Sequence, residues 1–491
     1  MVLPQPRRAA LLLPAAAAAA ALLVSTGPSV ADTAPPPTQP EGVLVWPKPQ
    51  QQQWGASMGA VDPASFEFAA TGANSTILES ALRRYRALCF GAATSGSSAV
   101  SSGGPVLQGL DVSVASGSLE LGLNTSENYT LDVAFPQATL TADTVFGALR
   151  GLETFSQLLL PHDDGSVTVQ QQRITDWPRF PFRAVMIDSS RHFLPVALIR
   201  AHIDAMAYNK MNVLHWHIVD TASFPYVSTA YPALSAKGAY DSNHVYTPQN
   251  VERIVRYAKF RGVRVIPEFD SPGHTMPAWG KGGPPDLLTT CGSSLGPLRA
   301  DRNQTYDFLS RLLTEVAQAF PDQTFHAGGD EVSWGCWGEN AEVKAFMKAN
   351  NMNLTGLNNY YLSRLFQIVE RDMKKQDVMV WRPGAADHGV QLPKSLIFDV
   401  YSGLEQCPPD GQGCYNITAS KTTAAGHRIV RSAGYYLDQL CDLDPDHKHS
   451  GNCELNKRHH ACHLTQTVAC QQTGVISPGG NSMPATRSRA R

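Results

Sequence analysis

The 491-residue chain lacks a basic excess, its formal net charge being −2. Nucleic-acid binders carry a clear surplus of Lys and Arg, so a polyanion partner is not indicated. Long apolar runs are scarce as well. Beyond Ala9 to Val24, which Pro14 interrupts, no segment approaches the ~20 consecutive apolar residues of a membrane helix. The Gly-rich phosphate loop, the serine nucleophile elbow and the thiol nucleophile motif are all missing. A metal centre is hardly better supported. His215 and His217 fall on one face of a strand and Asp270 could join them, but no further ligand set is recognisable. Neither metal nor cofactor is therefore expected.

What is present is a globular composition with secretory marks. Apolar residues make up 43% of the chain, enough for two domains or for one large α/β barrel with an appendage. Arg7 and Arg8, the apolar run behind them and the small-x-small site Ser29-Val30-Ala31 read as a signal peptide over residues 1–31. Six glycosylation sequons (Asn74, Asn124, Asn128, Asn303, Asn353, Asn416) and nine cysteines suit an oxidising compartment. The expected location is the secretory pathway, ending outside the cell or in a lysosome or vacuole.

Residues 32–42 are Pro-rich and read as a linker. Residues 43–178 mix strands such as LELGLN and YTLDVAF with an amphipathic helix over Thr141 to Leu160, for which Asp143 is the expected cap. We expect a small α+β domain there. Residues 179–440 then alternate apolar strands with helices, the mark of a parallel sheet, and the number of repeats points to a (β/α)8 barrel. Seven strands are countable: RAVMIDSSR, MNVLHWHIVD, VRVIPEFD, TFHAGGDE, VMVWR, LIFDVYSG and HRIVRSAGYYLD.

Nearly every strand turns polar at its C-terminal end. The endings bring in Asp188 and Arg191, then His215, His217 and Asp220, then Glu268, Asp270 and His274, then Asp330 and Glu331, and later Trp381, Tyr436 and Asp438. A barrel enzyme builds its site at that rim. Structural readings compete with this one: Asp188, His215 and His217 could be satisfied inside the barrel, Arg191 could pair with Asp188, and Glu268 reads best as part of a structural ion pair. Asp330 and Glu331 resist such a reading, because two neighbouring charges at a buried strand end are costly unless they are used or paired. Successive strand residues face opposite ways, so both can serve one site only if the strand ends at Gly328-Gly329 and its last residues splay.

FPFRAVMIDSSRHFLP, MAYNKMNVLHWHIVD, IPEFDSPGHT and HAGGDE resemble the signatures of glycoside hydrolase family 20, the β-N-acetylhexosaminidases, and VLVWPKPQ resembles the start of that family's non-catalytic domain. The likeness runs from about residue 43 to residue 440. It implies an exo-glycosidase that removes terminal β-linked GlcNAc or GalNAc from oligosaccharides and glycoconjugates, with the substrate's own 2-acetamido oxygen as nucleophile. Glu331 would be the general acid and base, its pKa raised by burial and a nearby anion, and Asp330 would hold the acetamido N–H. Arg191, Asp220, His274, Trp381, Tyr401, Tyr436 and Asp438 match substrate-binding or supporting positions, and Cys291 and Cys336 match a family disulfide. A homodimer is left open.

Three departures from the family pattern stand out. Thr221 replaces a second acid, Tyr401 stands where many relatives have tryptophan, and CPPDGQGC (407–414) looks inserted. From Cys441 the text carries neither the expected W-x-x-x-Y segment nor a final strand resembling GGExxMWGE, and its Cys and His spacings do not suit zinc. Residues 441–491 are accordingly expected to be a tail without order beside a barrel short of its last strand. The alternative function is then a catalytically impaired, carbohydrate-binding relative.

Overall fold

A computed structural model describes residues 44–73, 75–91, 104–382, 396–401, 405–406 and 415–433. The described residues fall in one compact unit that holds two large sheets with separate apolar cores. No described helix is long and apolar enough to cross a membrane.

The first sheet contains β1 (Gln51–Val61), β2 (Glu67–Gly72), β3 (Gly109–Ser116), β4 (Tyr129–Val133), β5 (Gln137–Thr144) and β6 (Val167–Asp176). They lie in the order β2-β3-β5-β4-β6-β1, with both parallel and antiparallel neighbours. Helices α1 (Thr76–Phe90) and α2 (Val145–Leu158) belong to the same core. Two expectations fail here. LELGLN (119–124) is loop rather than strand, its short alternation lacking a partner edge. The expected helix begins four residues late because Thr141–Thr144 is strand, and Thr144 caps α2 in place of Asp143 by accepting the N–H groups of Phe146 and Gly147. Asp143 instead accepts a hydrogen bond from Ser126.

The second sheet is parallel throughout and contains seven strands among the described residues, as the repeats suggested. They are β7 (Ala184–Asp188), β8 (Val213–Val219), β9 (Arg264–Phe269), β10 (Thr324–His326), β11 (Asp377–Arg382), β12 (Ile397–Val400) and β13 (Arg428–Arg431). Each pairs with its sequence neighbour, from β7 to β13 in order. Helices α3 (Val196–Tyr208), α4 (Pro248–Lys259), α5 (Asn303–Ala319) and α6 (Leu354–Arg371) return the chain between strands. Thr247 and Asn250 close a capping box on α4, satisfying two backbone donors that the first helical turn cannot. The tail 441–491, and with it the expectation of a barrel short of its last strand, lies outside the described residues.

A buried polar network joins the two sheets. Glu127 accepts hydrogen bonds from Arg150 and Arg183, while Lys210 reaches Asp176 and Tyr129. Arg150 also donates to the backbone carbonyl of Gly262, two residues before β9. Burial alone would raise the Glu127 pKa, but the two guanidinium charges outweigh it and hold the carboxyl below its ordinary range.

Candidate active site

Register sets the floor of the site. In the parallel ladders Asp188 pairs with His217, His217 with Glu268, and Glu268 with His326, so four polar residues form one row across β7 to β10. Glu268 is wholly buried at the centre. It lies 2.7 Å from His215 Nε2 and 2.8 Å from His217 Nδ1, and Trp381 Nε1–H donates to it at 2.6 Å. Burial opposes its ionisation, yet the histidines hold its pKa far below the ordinary value. The ion-pair reading of Glu268 therefore fits the structure. His217 also reaches Asp220 at 2.7 Å. Despite burial, the charge of Glu268 and the hydrogen bonds to Asp220 and Glu268 keep its pKa well above the ordinary value.

Above this floor Asp220 collects three partners. Arg191 Nη2 is 2.8 Å away, His217 Nε2 2.7 Å and His274 Nδ1 3.2 Å. Burial works against the Asp220 charge, but hydrogen bonds from His217 and His274 push its pKa far below the carboxylate range. Arg191 also pairs with Asp188 at 2.6 Å, so the bland reading of that residue is part of its geometry. Its side chain remains about half exposed, which leaves guanidinium N–H groups for a ligand.

The two adjacent acids find their explanation at the end of β10. The strand stops at His326, and Gly328 (φ 67°) and Gly329 (φ 93°) turn the chain through the left-handed region, which glycine occupies without steric penalty. At Gly328 a Cβ would lie 1.7 Å from Asp270 Oδ1, so no other residue fits. The turn is pinned from three sides: Gly329 N–H donates to Asp270, Gly328 N–H to His326, and Trp381 N–H to the Gly328 carbonyl. Asp330 then points inward and is buried, while Glu331, itself left-handed at φ 49°, points outward with its side chain 63% exposed. His274, left-handed at φ 52°, lies between them, 3.3 Å from Glu331 Oε2 and 3.9 Å from Asp330 Oδ1. Left-handed residues other than glycine concentrate at functional sites, because surrounding structure must hold them in place.

Electrostatics separate the acids further. Burial, then the charges of Asp330 and Glu268, push Asp270 well above the ordinary carboxylate range. Burial raises Asp330 as well, with Asp270 and the His274 charge working against that rise. Burial was also expected for Glu331. The structure contradicts that, since the left-handed turn carries its side chain to the rim.

Among the other candidates, Trp381 is buried with Tyr401 edge-on to its ring at 5.6 Å. Cys291 and Cys336 form the disulfide, tying the loop after β9 to the short helix Trp334–Glu339 after β10. Tyr436, Asp438 and Asn74 lie outside the described residues, as does the Asn416 side chain. Asn124, Asn128, Asn303 and Asn353 are exposed. His326 and Asp399 were not singled out from the sequence. Burial lowers the His326 pKa to about 3, keeping it neutral, and raises that of Asp399 to about 6. A lone acid inside the apolar run LIFDV was the available signal for Asp399.

Among the described residues three clusters, His215/Glu268/His326, Asp188/His217/Asp220 and Asp270/His274/Asp330, each bring three possible metal donors within 4.8 Å of one another.

The sequence profile described as "Glycosyl hydrolase family 20, catalytic domain" matches residues 180–481, and one described as "beta-acetyl hexosaminidase like" matches residues 45–158. The first match runs past residue 440 and takes in much of the tail set apart above. The chain is 40% identical over 433 residues to beta-hexosaminidase subunit beta of Felis catus, covering 84% of this chain and 78% of that one. It is 40% identical over 421 residues to beta-hexosaminidase subunit alpha of Mus musculus, covering 82% and 78%. The fold matches the chitobiase of Flavobacterium johnsoniae with a TM-score of 0.69 at 27% identity, covering 81% of this chain and 60% of that larger one. Nothing in these likenesses favours the impaired, merely carbohydrate-binding alternative. A profile spanning most of the chain and relatives at this identity leave one assignment: the chain is a member of glycoside hydrolase family 20.

Proposed function

We propose that the site removes terminal, non-reducing β-linked N-acetylhexosamine from oligosaccharides and glycoconjugates, with the substrate's acetamido group as nucleophile. The observation that carries this reading is the division of labour between adjacent acids. Asp330 is buried against Asp270, and Glu331 stands at the rim. Glu331 protonates the glycosidic oxygen as the acetamido carbonyl oxygen bonds to C1, closing an oxazolinium ring and releasing the leaving group. Asp330 accepts the acetamido N–H and balances the growing positive charge. Water then attacks C1 with Glu331 as base, which reopens the ring and restores the proton to Glu331. His274 holds the Glu331 carboxylate through the distances given above, and Arg191 presents its free N–H groups to sugar hydroxyls. Trp381 supplies an aromatic wall, with Tyr401 fixing its ring; Tyr436 and Asp438 complete the sugar contacts in this reading.

The secretory route is part of the same proposal. It is supported by the Cys291–Cys336 disulfide and by the exposure of four sequon asparagines. The domain limits, 43–178 for the small domain and 179–440 for the catalytic one, stand as proposals with it.

The test is hydrolysis of chromogenic β-N-acetylglucosaminide and galactosaminide by the purified full chain. Turnover with strong inhibition by a thiazoline mimic of the cyclised intermediate is expected. Glycan binding without turnover, or a covalent glycosyl-enzyme trapped on a carboxylate, would sink the reading.

A further inference from the structure

Along the length of α4, beside α1 and α3, lies an open cleft of about 550 Å³ whose lining includes Arg200, Glu252, Arg253, Arg256, Tyr257 and Arg261. None of the residues lining the cleft belongs to the candidate active site.

The charges around the cleft do not cancel. Arg84, one turn along α1 from Ser80, is near enough to Arg261 for their charges to oppose each other, and burial followed by that repulsion lowers its pKa. Four arginines and one acid, Glu252, line the cleft, with Asp204 adjacent through Arg261, in a chain whose net charge is −2. Asp204 is already engaged by Arg261 and by Tyr257 Oη, the latter at 2.7 Å. Among the described residues no carboxylate pairs with Arg200, Arg253 or Arg256. Complementing the helix dipole explains Arg256 and Lys259 in the last turn of α4, but neither Arg253 a turn earlier nor Arg200 on α3.

The forks are also held in place. The Arg200 guanidinium lies 4.1 Å and that of Arg261 3.4 Å from the centroid of the Tyr257 ring. Cations fixed on an aromatic face lose less freedom when they bind an anion. Planar guanidinium groups take tetrahedral oxyanions through paired N–H bonds. The volume falls in the range of sites for whole small molecules, larger than one inorganic anion needs.

We propose that this cleft binds the phosphate or sulfate ester of a small organic molecule, apart from the glycosidase site. Calorimetric titration of the full chain at low ionic strength, with a hexose 6-phosphate, a hexose 6-sulfate and inorganic phosphate, tests it. One saturable site is expected for at least one ester, tighter than for inorganic phosphate, and the tighter ester identifies the source of the oxyanion. The double substitution Arg253→Ala/Arg256→Ala should weaken that binding about tenfold or more, with the melting temperature and turnover of the chromogenic substrate unchanged. If the double variant folds poorly, Arg200→Lys keeps the charge but loses the fork, and it should weaken binding in the same sense. No saturable heat in the millimolar range, equal binding of inorganic phosphate and esters, or binding unaffected by these substitutions would overturn the proposal.

Discussion

Replacing Glu331 by Gln isolates proton transfer from everything else the side chain does. The Glu331 side chain is 63% exposed, so little burial is altered. Its backbone sits at φ 49°, a conformation equally unfavourable for Glu and Gln, so backbone strain is the same in both. The amide can still approach His274, now 3.3 Å from Oε2. What it cannot do is donate an acidic proton to the glycosidic oxygen. General acid–base catalysis contributes about 10²–10⁴-fold, which at 1.36 kcal/mol per decade is about 3–5.5 kcal/mol of barrier. We expect kcat to fall by that factor on a substrate with a poor leaving group, with KM and melting temperature nearly unchanged. The loss should shrink on an aryl glycoside whose leaving group needs little protonation. Activity within a few-fold of the parent, or an equal loss on both substrates, would refute the assignment of Glu331 as the acid.

Asp330→Asn should lower kcat on N-acetyl substrates by about 10²-fold or more while binding of the product sugar persists; substrate and product titrations separate the two. Asp399 is buried with Ser432 Oγ donating to it at 2.6 Å, and its pKa of about 6 lies above the ordinary 3.8. The native state therefore binds the extra proton, and this group's contribution to stability is lost as pH rises from about 4 to 6, by about 3 kcal/mol in all. Asp399→Asn should remove that slope, so urea unfolding of parent and variant across this range should diverge with pH; parallel curves would disprove it. Glu127→Gln leaves Arg150 and Arg183 buried beside a neutral amide and should cost about 3–5 kcal/mol of stability in urea unfolding, with turnover per folded molecule unaltered.

How far the sequence led depended on whether a feature was local. Alternation within a strand is local, so the polar endings of β7 to β11 and the helices between the strands were legible. The partners of those endings were not, because register decides them. Nothing in the text says that His217 stands beside Glu268 on the next strand, or that Trp381, three strands from His217 in the sheet, also reaches that carboxylate. Asp143 was the expected cap, but the pairing of β5 with β3 and β4 carries the strand on and puts Thr144 at the helix start. The pair Asp330-Glu331 shows the same boundary. Two glycines before two acids implied a strand that stops and splays. The direction of each carboxylate required the left-handed turn and its three pins, one of them the buried Asp270. That turn explains why the acids must be neighbours. Pinning one residue of a tight turn fixes the next, so the inward setting of Asp330 also aims Glu331 at the rim, and a single backbone segment places both groups around one sugar.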